Sequence, residues 1–427
     1  MAVSSEAGRA NWTGPILALA LGLRVAAALL VTWYAGRAGK PCVFADTNIY
    51  WELAGTIVEG RPYQVSQWGV PHFALRTPGY PAFLAACRWA FGPSLLGVRL
   101  VQAVLGTVGV WLVGRLARAT VGEDGGRSAP TVAMALAAVE PYTVGASALV
   151  LSEGLFLPLM LAGLWGLAAL WGGGRAATRP VAAAIGTGLA MGGAILVKPS
   201  WALFVPAALA AWAIGAGRPA RGRAAGLALV VALATAAVMA PWWARNGRIF
   251  GRFVPTALWV GASLYDGISP GATGASEMEF VNAPDVRPLG EVEQDATFRA
   301  RALAFARDHP GRVLGLAWVK LGRFWSPWPN DGALRSPAVA AASALATLPI
   351  FALVALGAWD RRRDGRALIL LAGPLLYFCL LHLVFVSSIR YRIPGMVPAF
   401  ALAGVGLDRL RSRPRTRPRP EAGGRNP

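Results

Sequence analysis

Nine residues carry the side chains from which a reaction can be built. Asp46 stands in Phe44-Ala45-Asp46-Thr47-Asn48-Ile49-Tyr50-Trp51, a carboxylate among aromatics. A carboxylate so placed and partly desolvated can take a proton from a hydroxyl or an amine as a general base. Tyr50 follows about one helical turn later. Arg76 and Tyr80 share the stretch Arg76-Thr77-Pro78-Gly79-Tyr80-Pro81. Glu153 lies in Leu151-Ser152-Glu153-Gly154 and Lys198 in Val197-Lys198-Pro199-Ser200. Arg245 lies in Trp243-Ala244-Arg245-Asn246, and Arg390 and Arg392 in Ile389-Arg390-Tyr391-Arg392-Ile393. Guanidinium forks match phosphate oxygens by paired hydrogen bonds, so these bases together suit an anionic ligand.

Plain structural roles stand beside the chemical ones. Asp46 at the head of a helix is a good N-cap, accepting a backbone N–H. Glu153 opening a helix complements the macrodipole. Lys198 can snorkel to the membrane surface, and no acid near it in sequence offers to pair with it. Other chemistries find little support. The three cysteines (Cys42, Cys87, Cys379) are scattered, and the three histidines (His72, His309, His382) form no HExxH motif. No metal site and no required cofactor is expected, and no GxxxxGK[ST] phosphate loop occurs.

The elements that position these residues are set by composition. The 427 residues are 55% hydrophobic and only 15% charged, with mean hydropathy +0.49. A soluble domain carries roughly 25% charged residues, so the class is a multi-span helical membrane protein. The net charge of +20 does not imply nucleic acid, because the arginines gather in short connections and in the tail 411–427. That is where cytoplasmic ends of membrane helices keep them.

Ten spans are expected, near residues 15–35, 94–116, 131–151, 154–171, 181–197, 201–214, 224–243, 338–359, 367–386 and 394–407. Both termini face the cytoplasm in this reading. Arg9, Arg115, Arg118, Arg127, Arg175, Arg179, Arg218 and Arg361 to Arg363 then fall inside, and two large loops, 37–99 and 245–335, face out. Within them, Ile49, Tyr50, Leu53, Ala54, Ile57 and Val58 form one helical stripe, as of a helix lying on the membrane surface. A second short helix is expected over 81–91. A third interfacial helix, over 313–325, carries Leu314, Ala317, Trp318, Leu321 and Trp325 on one face and Arg312, Lys320 and Arg323 on the other.

This order of features resembles the membrane glycosyltransferases of the GT-C class. It is carried by Asp46 with Tyr50-Trp51-Glu52-Leu53-Ala54, by Gly60-Arg61-Pro62-Tyr63, by Arg76-Thr77-Pro78-Gly79-Tyr80-Pro81, and then by Ser152-Glu153, Val197-Lys198-Pro199, Arg245-Asn246 and Arg390-Tyr391-Arg392. Within that class the chain looks most like bacterial relatives of protein O-mannosyltransferases and lipid A aminoarabinose transferases. The resemblance implies a GT-C-like bundle over residues 1–410 in the inner (plasma) membrane, followed by a basic cytoplasmic tail. It implies a polyprenyl-phosphate sugar as donor, a lipid, glycan or protein as acceptor, and inverting transfer on the external face. Asp46 would be the catalytic base; Arg76, Lys198, Arg245 and Arg392 would handle the lipid phosphate. Tyr50, Glu153, Tyr80 and Arg390 are further candidates. Thr47 follows Asp46 where protein mannosyltransferases usually carry Asp-Glu, which argues against protein O-mannosylation. A transporter or flippase of a lipid-linked sugar or other anionic lipid is the alternative; against it stands the absence of an inverted repeat.

Overall fold

The computed structural model describes residues 12–39, 42, 44–122, 128–173, 178–330 and 336–411. The tail from 412 onward and Arg9, Arg127 and Arg175 lie outside them. Sixteen α-helices make up most of the described chain: α1 (Thr13–Arg37), α2 (Ala45–Val58), α3 (Gly79–Phe91), α4 (Leu95–Val121), α5 (Ala129–Val139), α6 (Pro141–Ala148), α7 (Glu153–Gly172), α8 (Pro180–Val197), α9 (Phe204–Gly215), α10 (Arg218–Phe250), α11 (Val260–Gly267), α12 (Glu291–Asp308), α13 (Pro310–Phe324), α14 (Pro337–Asp360), α15 (Gly365–Val384) and α16 (Ile389–Arg411). One hairpin, β1 (Val65–Gln67) with β2 (Val70–His72), lies between α2 and α3.

Eight of these helices are long and apolar enough to cross a membrane: α1, α4, α7, α8, α10, α14, α15 and α16. The other two expected spans are shorter. The segment 131–151 divides where Pro141, with no N–H to donate, begins α6 and Glu140 caps it by accepting from the Thr143 N–H at 2.8 Å. The segment 201–214 becomes a 3₁₀ turn, Pro199–Trp201, followed by the 12-residue α9.

Hydrogen bonds at the far end of the bundle fix which helix ends lie together. Arg366, at the start of α15, donates to Ala119 O of α4 and to Ala168 O of α7, the latter at 2.9 Å. Ser128 Oγ, just before α5, donates to Asp408 Oδ1 near the end of α16 at 2.5 Å. Helices thus alternate in direction, and the loops holding α2–α3 and α11–α13 share the opposite end.

Close helix contact rests on small residues, as apolar bundles in lipid require. A Cβ at Gly357 of α14 would lie 1.9 Å from Leu402 O of α16. A Cβ at Gly79 would lie 2.6 Å from the backbone of Leu196, so the first turn of α3 sits directly on the last turn of α8.

The stripe on α2 is buried, but by protein. Leu53 and Ile49 pack with Val65 and Leu75 of the same loop, and Tyr50 and Ala54 join the main core. On α13 the first part of the expected apolar stripe is bare, Leu314 66% and Trp318 73% exposed, while Leu321 and Trp325 pack against the core and Lys320 is fully buried. The membrane surface reading therefore fits α13, and α2 is covered by its own chain.

Candidate active site

Asp46 lies in the first turn of α2, whose N-cap position is Phe44 in extended conformation with no side-chain cap. The expected capping role is therefore not taken up: the helix starts two residues earlier than that role requires, and the Asp46 carboxylate turns to two cations instead. Arg76 Nη2 donates to its Oδ1 at 3.2 Å and Arg390 Nη1 to its Oδ2 at 3.1 Å. Thr47 Oγ1 fixes the start of α2 by donating to Val150 O at 2.9 Å, beside the connection that leads to Glu153.

Arg390, in the first turn of α16, reaches a second acid. Its Nε donates to Glu153 Oε1 at 2.8 Å and its Nη2 to Oε2 at 3.4 Å. Lys198 Nζ donates to the same Glu153 Oε1 at 3.1 Å. The Lys198 expectation of a base without an acid is thus corrected: its partner stands one helix earlier, at the start of α7. Five charges run in one line, Lys198–Glu153–Arg390–Asp46–Arg76, with three cations against two carboxylates. The line carries one positive charge in excess, and that excess favours an anion.

The two acids differ in access. The Glu153 side chain is 2% exposed and that of Asp46 35%, so a substrate can reach only Asp46. Burial pushes the Asp46 carboxyl up, but Arg76 and Arg390 outweigh it and hold it below the ordinary carboxylate range. Burial disfavours the charged form of Arg76, and Asp46 more than restores it. Tyr50 and Tyr80 meet edge to face with ring centres 5.0 Å apart. Burial raises both phenols, so they stay protonated, and the Tyr80 hydroxyl donates to Gln102 Oε1 at 3.1 Å.

Arg245 and Arg392 are not brought to this line. Arg245 donates from Nη1 to Phe73 O at 2.9 Å and from Nη2 to Tyr63 O at 2.6 Å, with its guanidinium 5.0 Å from the Trp242 ring centre. Arg392 Nη1 donates to Phe324 O and Ser326 O, each at 2.7 Å. Both hold backbone carbonyls of the two large loops.

Two buried groups of the second large loop, Glu291 and Lys320, were not among the expected site residues. Glu291, the first residue of α12, accepts from the Phe73 N–H at 2.7 Å and the Ala74 N–H at 3.0 Å. Burial pushes its carboxyl up to about 7 against the pull of those two N–H groups and Arg245. Lys320 of α13 donates to Leu383 O at 3.1 Å and Val384 O at 2.7 Å, capping α15, and burial brings its ammonium down to about 8. Among the described residues no three His, Cys, Asp or Glu side chains gather as a metal site would need.

A family model described as dolichyl-phosphate-mannose-protein mannosyltransferase matches residues 75–243, a stretch that holds Arg76, Tyr80, Glu153 and Lys198. Comparison with curated protein sequences returns no match. Among solved structures, the oligosaccharyltransferase AglB from the archaeon Archaeoglobus fulgidus, in complex with an inhibitory peptide and a dolichol-phosphate, is 14% identical; the alignment covers 94% of this chain and 50% of that one at a TM-score of 0.56. The same organism's oligosaccharyltransferase tethered with an acceptor peptide gives 13% identity, 93% and 49% coverage and a TM-score of 0.56. ArnT from Cupriavidus metallidurans in the apo state gives 16% identity, 92% and 76% coverage and a TM-score of 0.45. The chain spans about half the length of the archaeal enzyme. It is a polytopic helical membrane protein with the fold of the GT-C glycosyltransferases.

Proposed function

We propose that this protein is an inverting glycosyltransferase that moves a hexosyl or pentosyl group from a polyprenyl-phosphate donor to a lipid, glycan or protein acceptor on the external face of the membrane. The observation that carries the reading is the line of five charges, which includes one accessible carboxylate held between two guanidiniums. A membrane likeness shared with enzymes of the same fold supports it.

In this reading the acceptor O–H or N–H gives its proton to Asp46. The freed lone pair attacks the anomeric carbon from the face opposite the phosphate. The bond from that carbon to the phosphate oxygen breaks, and its electron pair leaves on the polyprenyl phosphate. The donor diester carries one charge and the departing monoester gains a second. Lys198, Arg390 and Arg76 are the fixed cations available to meet it, and such preorganised charge is where most of the rate comes from. A carboxylate held low by two guanidiniums is a weak base. A phosphate that draws hydrogen bonds from Arg390 and Arg76 toward itself leaves Asp46 with fewer donors and a stronger hold on a proton, so donor binding readies the base.

The test is transfer from a labelled polyprenyl-phosphate sugar in membranes holding wild-type protein or Asp46→Asn. A loss in kcat of about 10²–10⁴-fold is expected, the usual worth of a general base. Undiminished transfer by the variant would overturn the assignment. No transfer by the wild type, together with movement of the labelled lipid across liposome bilayers, would replace this reading with a flippase.

A further inference from the structure

The second outward loop has no charged group in the line, yet its hydrogen bonds end on both arms that flank Asp46. The strap Phe73–Arg76 carries Arg76, and five of its eight backbone polar groups are tied to something outside the strap. Glu291 of α12 takes the N–H groups of Phe73 and Ala74. Arg245 donates to Phe73 O, the Leu258 N–H donates to Ala74 O at 2.9 Å, and the Tyr63 hydroxyl donates to Arg76 O at 3.0 Å. The strap 383–392 carries Arg390 and is treated likewise. Lys320 holds the carbonyls of Leu383 and Val384, Arg323 Nε donates to Ser387 O at 2.9 Å, and Asn330 Oδ1 accepts from the Ile389 N–H at 2.7 Å.

We propose that the second outward loop is the frame that sets the two guanidiniums on Asp46, with Glu291 the positioning residue for Arg76 and Lys320 that for Arg390. Neither touches the reacting atoms; each acts through the arginine whose strap it holds. The inference rests on the reading of Arg76 and Arg390 as partners of a lipid phosphate. The geometry is specific. Two N–H groups converging on one buried carboxylate, and two carbonyls on one buried ammonium, are bonds to charged groups, worth more than neutral ones and costly to leave half made. The charged groups around Glu291 are Arg245 at the end of α10 and Asp295 one turn along α12; His72 of β2 is joined to the same helix through Gln294. Around Lys320 they are Asp266 of α11 and His382 of α15.

The experiment compares full-length wild type, Glu291→Ala and Lys320→Met in nanodiscs at one neutral pH, with two readouts. Amide hydrogen exchange reads the frame. Glu291→Ala is expected to speed exchange in 73–76 by about tenfold or more, and Lys320→Met in 387–389, while α4 and α7 stay protected as before. Binding of undecaprenyl phosphate reads the consequence, a dissociation constant raised about tenfold in each variant. Unchanged exchange in both straps, or exchange raised equally throughout the core, overturns the proposal. Faster strap exchange with undiminished lipid binding also overturns it, because the arginines would then be indifferent to their straps. If the wild type itself does not bind undecaprenyl phosphate, the phosphate reading fails, and the exchange result still decides whether the loop is the frame.

Discussion

Two pairs of arginines, one around Asp46 and one tied to the two large loops, look alike in sequence and are used differently. Arg76 and Arg390 point at carboxylates; Arg245 and Arg392 point at backbone carbonyls. A guanidinium on a carboxylate already has its charge met, and an incoming phosphate can take over those bonds without leaving a cation bare. A guanidinium on carbonyls locks a stretch of main chain, and drawing it away would unfasten the loop. Arginine in a membrane enzyme is therefore read by what it donates to.

The largest difference expected from this division is between neighbours. Arg390→Ala should lower kcat/KM for the donor by about 10²–10³-fold, the usual cost of one group that stabilises transition-state charge. Arg392→Ala should act chiefly on thermal stability, by about 1–3 kcal/mol, through two carbonyls left without a donor. Initial rates and melting curves on both variants decide it. If Arg392→Ala lowers kcat/KM as far with its melting temperature intact, the two pairs are not distinct.

Arg245→Lys sharpens the division on the other side. An ammonium cannot reach Phe73 O and Tyr63 O in the fork geometry, so one bond is lost. A few-fold rise in donor KM with kcat nearly unchanged is expected, because Arg76 is displaced and not removed. A fall in kcat with KM constant would place Arg245 in the chemistry.

Acidity separates the frame from the fold. Glu291 sits at about 7 in the folded protein, above its unfolded value. Keeping it ionised costs stability above pH 7, and protonation on acidification from about pH 7 down to its unfolded value relieves that cost. The same proton takes away part of the acceptor that holds the Arg76 strap. Donor KM is therefore expected to rise as pH falls through about 7, and the melting temperature, compared with Glu291→Gln, is expected to rise over the same range. The variant should show a flat KM over that range. A melting temperature that falls while KM rises would contradict the sign.

The smallest effect belongs to Asp46. Its carboxyl is lowered by Arg76 and Arg390, so the stability it contributes is present above the ordinary carboxylate value of about 4 and is lost as pH falls through the lowered one. Melting curves below pH 4 should show less acid sensitivity in Asp46→Asn, by a small margin, since a third of the side chain meets solvent.

How far this site was legible before any coordinates follows from the range of its interactions. Periodicity is local, so the stripes of α2 and α13 could be seen directly, and so could the apolar segments. Which surface each stripe meets is not local: α2 finds Val65 and Leu75, while α13 leaves Leu314 and Trp318 bare and packs Leu321 and Trp325 against the core. Asp46, Arg76, Lys198 and Arg390 stood out as charges in an apolar chain. Their pairing did not, because Arg390 meets Glu153 and Asp46 only after most of the bundle has been threaded between them. Glu291 lies in a loop rich in acids, and no spacing marks the one that turns inward. The β1–β2 hairpin is three residues a side, too short for alternation to register.

The absence of a side chain at Gly79 has one more consequence. Backbone lies on backbone there, with two residues separating Gly79 from Arg76 and one separating Leu196 from Lys198. A seam of that kind does not slide, because any shear must first lift two main chains apart. Through a cycle of loading and discharge, the separation between Arg76 and Lys198 should behave as a fixed ruler, and the travelling part is left to Arg390, which alone spans both acids.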